Sequence, residues 1–444
     1  MRKLSIRSYS LHPKTFWFMG GVIALFIVSF MVDWFFNVAA GAFLAVCLLL
    51  IWDSLRLYSI GKITAERKAA KILSLGDRNR IALKIHNSTP RVIRMNIIDE
   101  LPFQLQERNF SIKGTVDSND NFVATYEIEP KTRGLYEFGN TLIYVQSPLG
   151  FAERRCTCET SQDIRVYPSI IQMKRYQLAS IEKLQQYHGA IKTRRIGHNY
   201  EFEQIKAYVE GDDYRSINWK ATSRLNELMV NQYTDEQAQP VYCLIDKSRQ
   251  MNLPFNGMTL LDYAVNSSLV ISNVTLQKRD RIGLVTFGEK IDTMMKASNN
   301  PRQLPQILES LYAEQPNEYD ANYPLLYKVM NSLARTRSLL FLFTNIESKH
   351  HLNRLLPQLL RLHKRHLLVV IFFRNDELEE YAGESAEDTI DIYKRTAAAK
   401  LIAEKQVLIQ SLQQHGIHAM LSRPDELTID TLNKYLELKA RGLI

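Results

Sequence analysis

The sequence predicts an α/β fold whose C-terminal half is a mainly parallel, doubly wound sheet, preceded by an antiparallel β-sandwich and an N-terminal apolar helical hairpin. Three patterns carry this. Residues 16–52 are almost wholly apolar, residues 72–168 alternate apolar with polar, and beyond residue 239 short apolar runs alternate with stretches of helical period. The boundaries follow at 1–58 for the hairpin, 59–168 for the sandwich, 169–239 for a linker with a dense polar motif, and 240–444 for the α/β domain.

The apolar run is interrupted at Asp33, Trp34 and Asn37. A helix needs about 20 apolar residues to cross a bilayer, so the run holds two slightly short spans, 16–32 and 35–52, around a tight turn. Arg2, Lys3, Arg7 and Lys14 precede the first span, and Arg56, Lys62, Arg67, Lys68 and Lys71 follow the second. Positive charge on both flanks puts both ends in the cytoplasm and Asp33 at the outer turn. The globular domains are therefore expected on the cytoplasmic side of the cell (inner) membrane. A single long or re-entrant helix is the alternative, and it would sink Asp33 into lipid at a cost. A signal peptide would have a shorter apolar core and a small-residue cleavage site, and neither is clear.

In the sandwich region Ile81, Leu83 and Ile85 alternate with polar neighbours. So do Ile93, Met95 and Ile97, then Phe122, Ala124, Tyr126 and Ile128, then Ile143 and Val145. Turns are marked by Asn87-Ser88-Thr89-Pro90, Ser118-Asn119-Asp120-Asn121 and Arg133-Gly134. Strands at this spacing indicate an immunoglobulin-like sandwich. Residues 167–198 follow with mixed helical spacing and a basic run, Lys192, Arg194 and Arg195, which is the composition of a charged linker.

After residue 239 strands are expected at 241–246, 281–287, 291–295 (a short edge strand), 338–345, 367–373 and 417–421. Helices are expected at 260–277, 303–312, 324–334, 351–364, 388–414 and 428–440. The uninterrupted runs LLFLF and LLVVIFF fit strands buried on both faces.

Between linker and first strand lies the densest polar run of the chain: Gly211, Asp212, Asp213, Arg215, Asn218, Trp219, Lys220, Thr222 and Arg224. Gly211 suits a positive-φ turn, and the paired aspartates suit hydrogen bonds from turn amides or from Arg215 and Arg224. Asn218 and Trp219 carry polar atoms that need partners if buried. The run fits a docking surface, or equally a self-satisfied ion-pair joint. A catalytic carboxylate pair fits less well, because no nucleophile, base or phosphate loop accompanies it.

The pattern Y-x-x-G-D-D-x-R-x-I-N-W-x-A-T-x-R over 208–224, followed by a strand ending L-I-D-x-S, resembles the bacterial domain-of-unknown-function family fifty-eight. R-G-x-Y-x-F-G at 133–139 and S-P-L-G-F at 147–151 resemble the lead-in of the same family. The resemblance implies a MoxR-type AAA+ ATPase as companion. The α/β domain with its D-x-S resembles the von Willebrand factor A-like fold, whose ligand site lies at the carboxyl ends of the strands. That resemblance implies a divalent-metal centre of D-x-S-x-S form, completed by a threonine and an aspartate from two further loops. Here Asp246 and Ser248 match, but Gln250 replaces the second serine, the stretch Asp320-Ala321-Asn322-Tyr323 has no threonine, and Asn345 stands where a carboxylate is expected. Lys247 and Arg249 add positive charge to the loop, so Mg²⁺ affinity is expected to be weak or lost and no cofactor is implied. Asp246 and Ser248 then fix a turn or cap a helix.

Composition excludes several classes. At 45% hydrophobic and 23% charged over 444 residues, the chain has ample material for globular cores. Its net charge of +9 is spread out and biased to the membrane flanks, so nucleic acid is not an expected partner. Of the four cysteines, Cys47 lies in the apolar run and Cys243 in a core strand. Cys156 and Cys158 form a C-x-C pair without two further metal ligands nearby. There is no G-x-x-x-x-G-K-S/T, G-x-S-x-G or H-E-x-x-H, and His188 and His198 stand alone in polar sequence. The expectation is a membrane-anchored, non-catalytic protein-binding adaptor using Gly211, Asp212, Asp213, Arg215, Asn218, Trp219 and Arg224. The alternative is a metal-dependent hydrolase using Asp212, Asp213 and Asp246.

Overall fold

The computed structural model describes residues 9–29, 34–58, 63–174, 201–209, 212, 214–234, 239–383 and 388–443. The chain divides into two compact units, Met1–Tyr167 and Pro168–Ile444. Asp33, His188, His198 and the basic run at 192–195 lie outside the described residues.

The first unit opens with strand β1 (Tyr9–Leu11) and two apolar helices, α1 (Pro13–Ser29) and α2 (Phe35–Tyr58). Among the described residues one helix, Phe35–Leu57, is long and apolar enough to cross a membrane, while Pro13–Ser29 is apolar but shorter. α2 continues beyond the expected end at residue 52 because Asp53 does not need water. Its buried carboxylate accepts hydrogen bonds from Ser147 Oγ (2.5 Å), Leu149 N (3.2 Å) and Phe151 N (3.2 Å). The S-P-L-G-F phrase is thus a cradle for the polar end of α2. Thr15 of α1 donates to the Phe151 carbonyl of the same loop (2.7 Å), and both apolar helices are stitched to one edge of the β-domain.

That domain contains β2 (Ile63–Lys68), β3 (Ile72–Ser74), β4 (Asn79–Asn87), β5 (Ile93–Asp99), β6 (Ile112–Val116), β7 (Asn121–Ile128), β8 (Gly134–Phe138), β9 (Thr141–Gln146), β10 (Ala152–Cys158) and β11 (Gln162–Tyr167). They form sheets ordered β1-β10-β9-β5-β6, β2-β4-β7 and β3-β11-β8. The period-two residues 81, 83, 85, 93, 95, 97, 124, 126, 128, 143 and 145 are all buried. Phe122 is only half-buried and lies across Gly114, where an added Cβ would meet its ring at 2.5 Å.

Arg67 corrects the sequence-based assignment most sharply. It was expected as a membrane-flanking charge, yet its side chain is buried among the sheets of the first unit and forms a bidentate pair with Asp99, with Nη2 to Oδ1 at 2.5 Å and Nε to Oδ2 at 3.1 Å. The remaining capacity of Asp99 is taken by Tyr126 OH (2.5 Å) and Thr141 Oγ1 (2.9 Å), and Arg67 also donates to the carbonyls of Thr160 and Gly139. Removing one member of such a pair leaves an uncompensated buried charge. Arg67→Ala is therefore expected to cost the first unit about 3–5 kcal/mol. Thermal unfolding of the purified chain in detergent checks this, with the paired Arg67→Met, Asp99→Leu variant losing much less.

The second unit contains β12 (Glu201–Ala207), α3 (Trp219–Leu225), β13 (Met229–Thr234), β14 (Pro240–Asp246), the two-residue strands β15 (Pro254–Phe255) and β16 (Met258–Thr259), and α4 (Leu260–Gln277). It continues through β17 (Arg281–Phe287), β18 (Ile291–Ser298), α5 (Gln303–Ala313), α6 (Tyr323–Leu333), β19 (Leu339–Phe343) and α7 (Lys349–Arg365). β20 (Leu367–Phe373), α8 (Asp376–Gly383), α9 (Thr389–Gln414), β21 (His418–Ser422) and α10 (Leu427–Ala440) complete it.

Its main sheet is ordered β18-β17-β14-β19-β20-β21, with every pair parallel except that of the edge strand β18. Val241, Cys243 and Ile245 of β14 face α4 and α10, while Tyr242 and Leu244 face α6, α7 and α9. Both faces are therefore apolar, as the long apolar strand runs require. α4 begins at a capping box, Thr259 with Asp262. β18 is three residues longer than expected, and α8 was not foreseen. Neither was the β15–β16 hairpin, although its turn is an Asn256-Gly257 pair at φ 48° and 80°, the conformation that dipeptide favours.

Candidate functional site

β12 and β13 pair antiparallel and hold the polar motif between them. Tyr208 N donates to Leu228 O (2.7 Å) and Asn218 N to Met229 O (2.8 Å), which closes the loop onto the strand pair. Asp212 accepts from Val209 N (3.1 Å) and from Lys206 Nζ (2.9 Å). Turn amides were expected to bind it, and a lysine from β12 joins them. Asn218 caps α3 by accepting from Ala221 N (3.0 Å), and its amide donates to Asn231 Oδ1 (2.8 Å). Asn226, at φ 59°, ends the helix in the left-handed conformation. Gly211 and Asp213 lie outside the described residues.

Polar members of the motif therefore build the hairpin, and the aromatic members do not enter it. Trp219 and Tyr214 are each 69% exposed. Val209, Leu225 and Leu228 are also exposed, as are Arg224 and Lys220. Arg215 lies against the Tyr214 ring, 5.6 Å from its centroid. Exposed aromatic and aliphatic side chains thus stand among exposed charged residues along 209–228.

A second centre sits at the carboxyl end of β14. Asp246 is buried; its Oδ1 accepts from Ser248 N (2.8 Å), and its Oδ2 accepts from Thr344 Oγ1 (2.7 Å) and Tyr323 OH (3.1 Å). The Tyr323 and Thr344 hydroxyl oxygens lie 2.9 Å apart over the same carboxylate oxygen. The Asp246 carboxylate thus holds its own turn through the Ser248 amide. The acceptors a metal would use are instead taken by two hydroxyls, one of them a phenol from the loop where a threonine was expected. Lys247 does not project its charge into this centre: it turns inward to Glu314 (2.5 Å) and Asp292 (2.6 Å). Asn345 accepts from Lys405 Nζ (2.8 Å) and donates to Gln250 O (3.4 Å). These donors fit a divalent ion poorly, since one carboxylate already saturated with donors and an amide bound to an ammonium do not form a hard-cation cage. Asp212 and Asp246 are held by separate sets of partners. Among the described residues no group of three or more His, Cys, Asp or Glu is placed to hold a metal.

Tyr323, Thr344, Glu314 and Lys405 are the site residues that sequence reasoning missed. Cys156 and Cys158 share one face of β10, and burial raises both thiols above their ordinary range. Burial likewise raises the Asp246 carboxyl, opposed by its hydrogen bonds.

Residues 204–382 match the family model described as protein of unknown function DUF58. The match covers less than half of the chain. The DUF58 segment takes in the exposed aromatic surface and the Asp246 centre, and ends within α8. The phrases at 133–139 and 147–151 fall outside it. The uncharacterized protein YeaD of Bacillus subtilis (strain 168) is 22% identical over 200 residues, which are 44% of this chain. The chain spans about half (50%) of the length of that relative. Among solved structures, proximal thread matrix protein 1 from the mussel byssus aligns at 11% identity over 45% of each chain with a TM-score of 0.25. The CARDB domain of the PF1109 protein from Pyrococcus furiosus aligns at 11% identity with a TM-score of 0.19, over 24% of this chain and 90% of that one. At such TM-scores neither likeness carries a structural argument.

Three outcomes are expected at the Asp246 centre. Tyr323→Phe leaves the buried Asp246 carboxylate short of a donor and should cost about 1–2 kcal/mol in urea unfolding. Added Mg²⁺ should leave the wild-type midpoint unchanged, whereas a midpoint rising with Mg²⁺ would show that Asp246 serves a cation. A carboxyl whose pKa is higher folded than unfolded contributes stability below the unfolded value and loses it as pH rises through the folded one. Asp246→Asn should therefore flatten the loss of stability that the wild type shows as pH rises above the ordinary carboxylate range.

Proposed function

We propose that this chain is a membrane-anchored protein-binding adaptor, working with a MoxR-type AAA+ ATPase in the assembly or maturation of protein complexes. In this reading α1 and α2 form a two-span hairpin in the inner membrane. The globular units face the cytoplasm, and the six-stranded sheet serves as a von Willebrand factor A-like binding domain. The observation that carries the reading is the aromatic surface at Tyr214 and Trp219 with Arg215, Lys220 and Arg224 around it. Tryptophan, tyrosine and arginine are the residues that anchor protein interfaces, and Tyr214 and Trp219 are both exposed. The hairpin beneath is rigidly cross-bonded through Asp212 and Asn218, which preorganises the surface and lowers the entropic cost of binding. The partner class comes from the family resemblance.

The test is capture of companions from native membranes by crosslinking and mass spectrometry. An AAA+ ATPase is expected among the crosslinked proteins. Trp219→Ala and Arg215→Ala should each lower its recovery about tenfold or more, the loss typical of an interface anchor. Recovery of the same companions at the same yield by both variants contradicts the reading.

A further inference from the structure

α9, which follows the DUF58 match, closes a cavity of about 260 Å³ at the carboxyl ends of β19, β20 and β21, most of whose wall comes from within the match. Its walls include Phe255, Phe373, Leu378, Ile402 and Leu421. In open parallel sheets this crevice is where ligands bind. Two cations line it, and they differ. Arg374 is neutralised by Asp376 (3.0 Å) and by Glu379. Lys405 donates to the neutral Asn345 Oδ1 (2.8 Å), and among the described residues it joins no ion pair. Glu347, also on the wall, acts on it only through space. Burial accordingly pushes the Lys405 ammonium down to about 8, the response of a charge that lacks a contacting counter-ion. A neighbouring carboxylate would remove that penalty, and the apolar wall would take up a hydrocarbon group attached to it.

We propose that this cavity binds a small apolar carboxylate, with its acid group on Lys405 and its hydrocarbon part against the wall formed by Phe255 and Phe373. The shared chemistry has two sources, a free short-chain or aromatic acid and the C-terminal residue of a peptide. The volume admits one such group and little more, being below the range of about 300–1,000 Å³ typical of drug-sized ligands. The inference is independent of the adaptor reading, because Lys405 lies far along the chain from the Tyr214 surface and requires no ATPase.

The test is ¹⁹F NMR titration of the full chain in lipid nanodiscs with 4-fluorophenylacetate, using the neutral 4-fluorophenylacetamide as control. Saturable binding at one site per chain is expected, weakened about tenfold or more for the amide and for Lys405→Met, the share owed to one charge-assisted contact. A peptide ending in phenylalanine competes if its C-terminus is free and not if it is amidated, should peptides be the source; competition by neither form assigns the site to free acids. On the wild-type protein, saturating fluorophenylacetate should slow acetylation of Lys405 several-fold, read by mass spectrometry, and this arm needs no variant to fold. Equal affinity for acid and amide, non-saturable partitioning matched by empty nanodiscs, or an unprotected Lys405 overturns the proposal.

Discussion

The carboxyl group of Asp246 is the constraint on which the second unit depends. It sits at the end of the strand from which the sheet extends in both directions, and it ties its own turn through Ser248, the end of β19 through Thr344, and the start of α6 through Tyr323. Buried acidic groups are tolerated only when their acceptors are satisfied. Here three donors from three chain segments meet that requirement, and in doing so they set the positions of the loops above the sheet. The same solution recurs in the first unit, where Asp53 is held by the 147–151 loop and Asp99 by Arg67, Tyr126 and Thr141. Each buried aspartate links pieces of chain that hydrophobic packing alone would leave free to slide.

Much of the fold was legible because apolar periodicity is local. The runs at 281–287 and 367–373 became strands with the bounds expected, and the helix at 260–277 likewise, since every residue that determines them lies within the element. Most of the alternating residues of the first unit are buried for the same reason. What escaped was long-range pairing. Tyr323 and Thr344 reach Asp246 across 77 and 98 residues, and no local pattern marks a tyrosine as the donor that fills an aspartate's lone pair. Arg67 looked like a membrane-flanking cation because its partner Asp99 is 32 residues away. The second apolar span was ended at residue 52 because the 147–151 cradle that holds Asp53 lies about a hundred residues on.

The polar motif at 208–224 illustrates a different limit. Composition showed that the segment was unusual, but its polar and aromatic residues have opposite destinations. Asp212 and Asn218 turn inward to make the hairpin, which frees Trp219 and Tyr214 to face solvent. Sequence alone put all of them into one site. Geometry separates a scaffold from the surface it presents, and only the latter is available to a partner.

The central claim is that Asp246 is an internal tie and that the unit's chemistry lies in the surfaces built around it. Electron paramagnetic resonance of Mn²⁺ added in stoichiometric amount to the full chain in nanodiscs tests this directly. The spectrum should remain that of the free hydrated ion, unchanged by Asp246→Ala. Loss of the free-ion signal in the wild type and its return in Asp246→Ala would contradict the account.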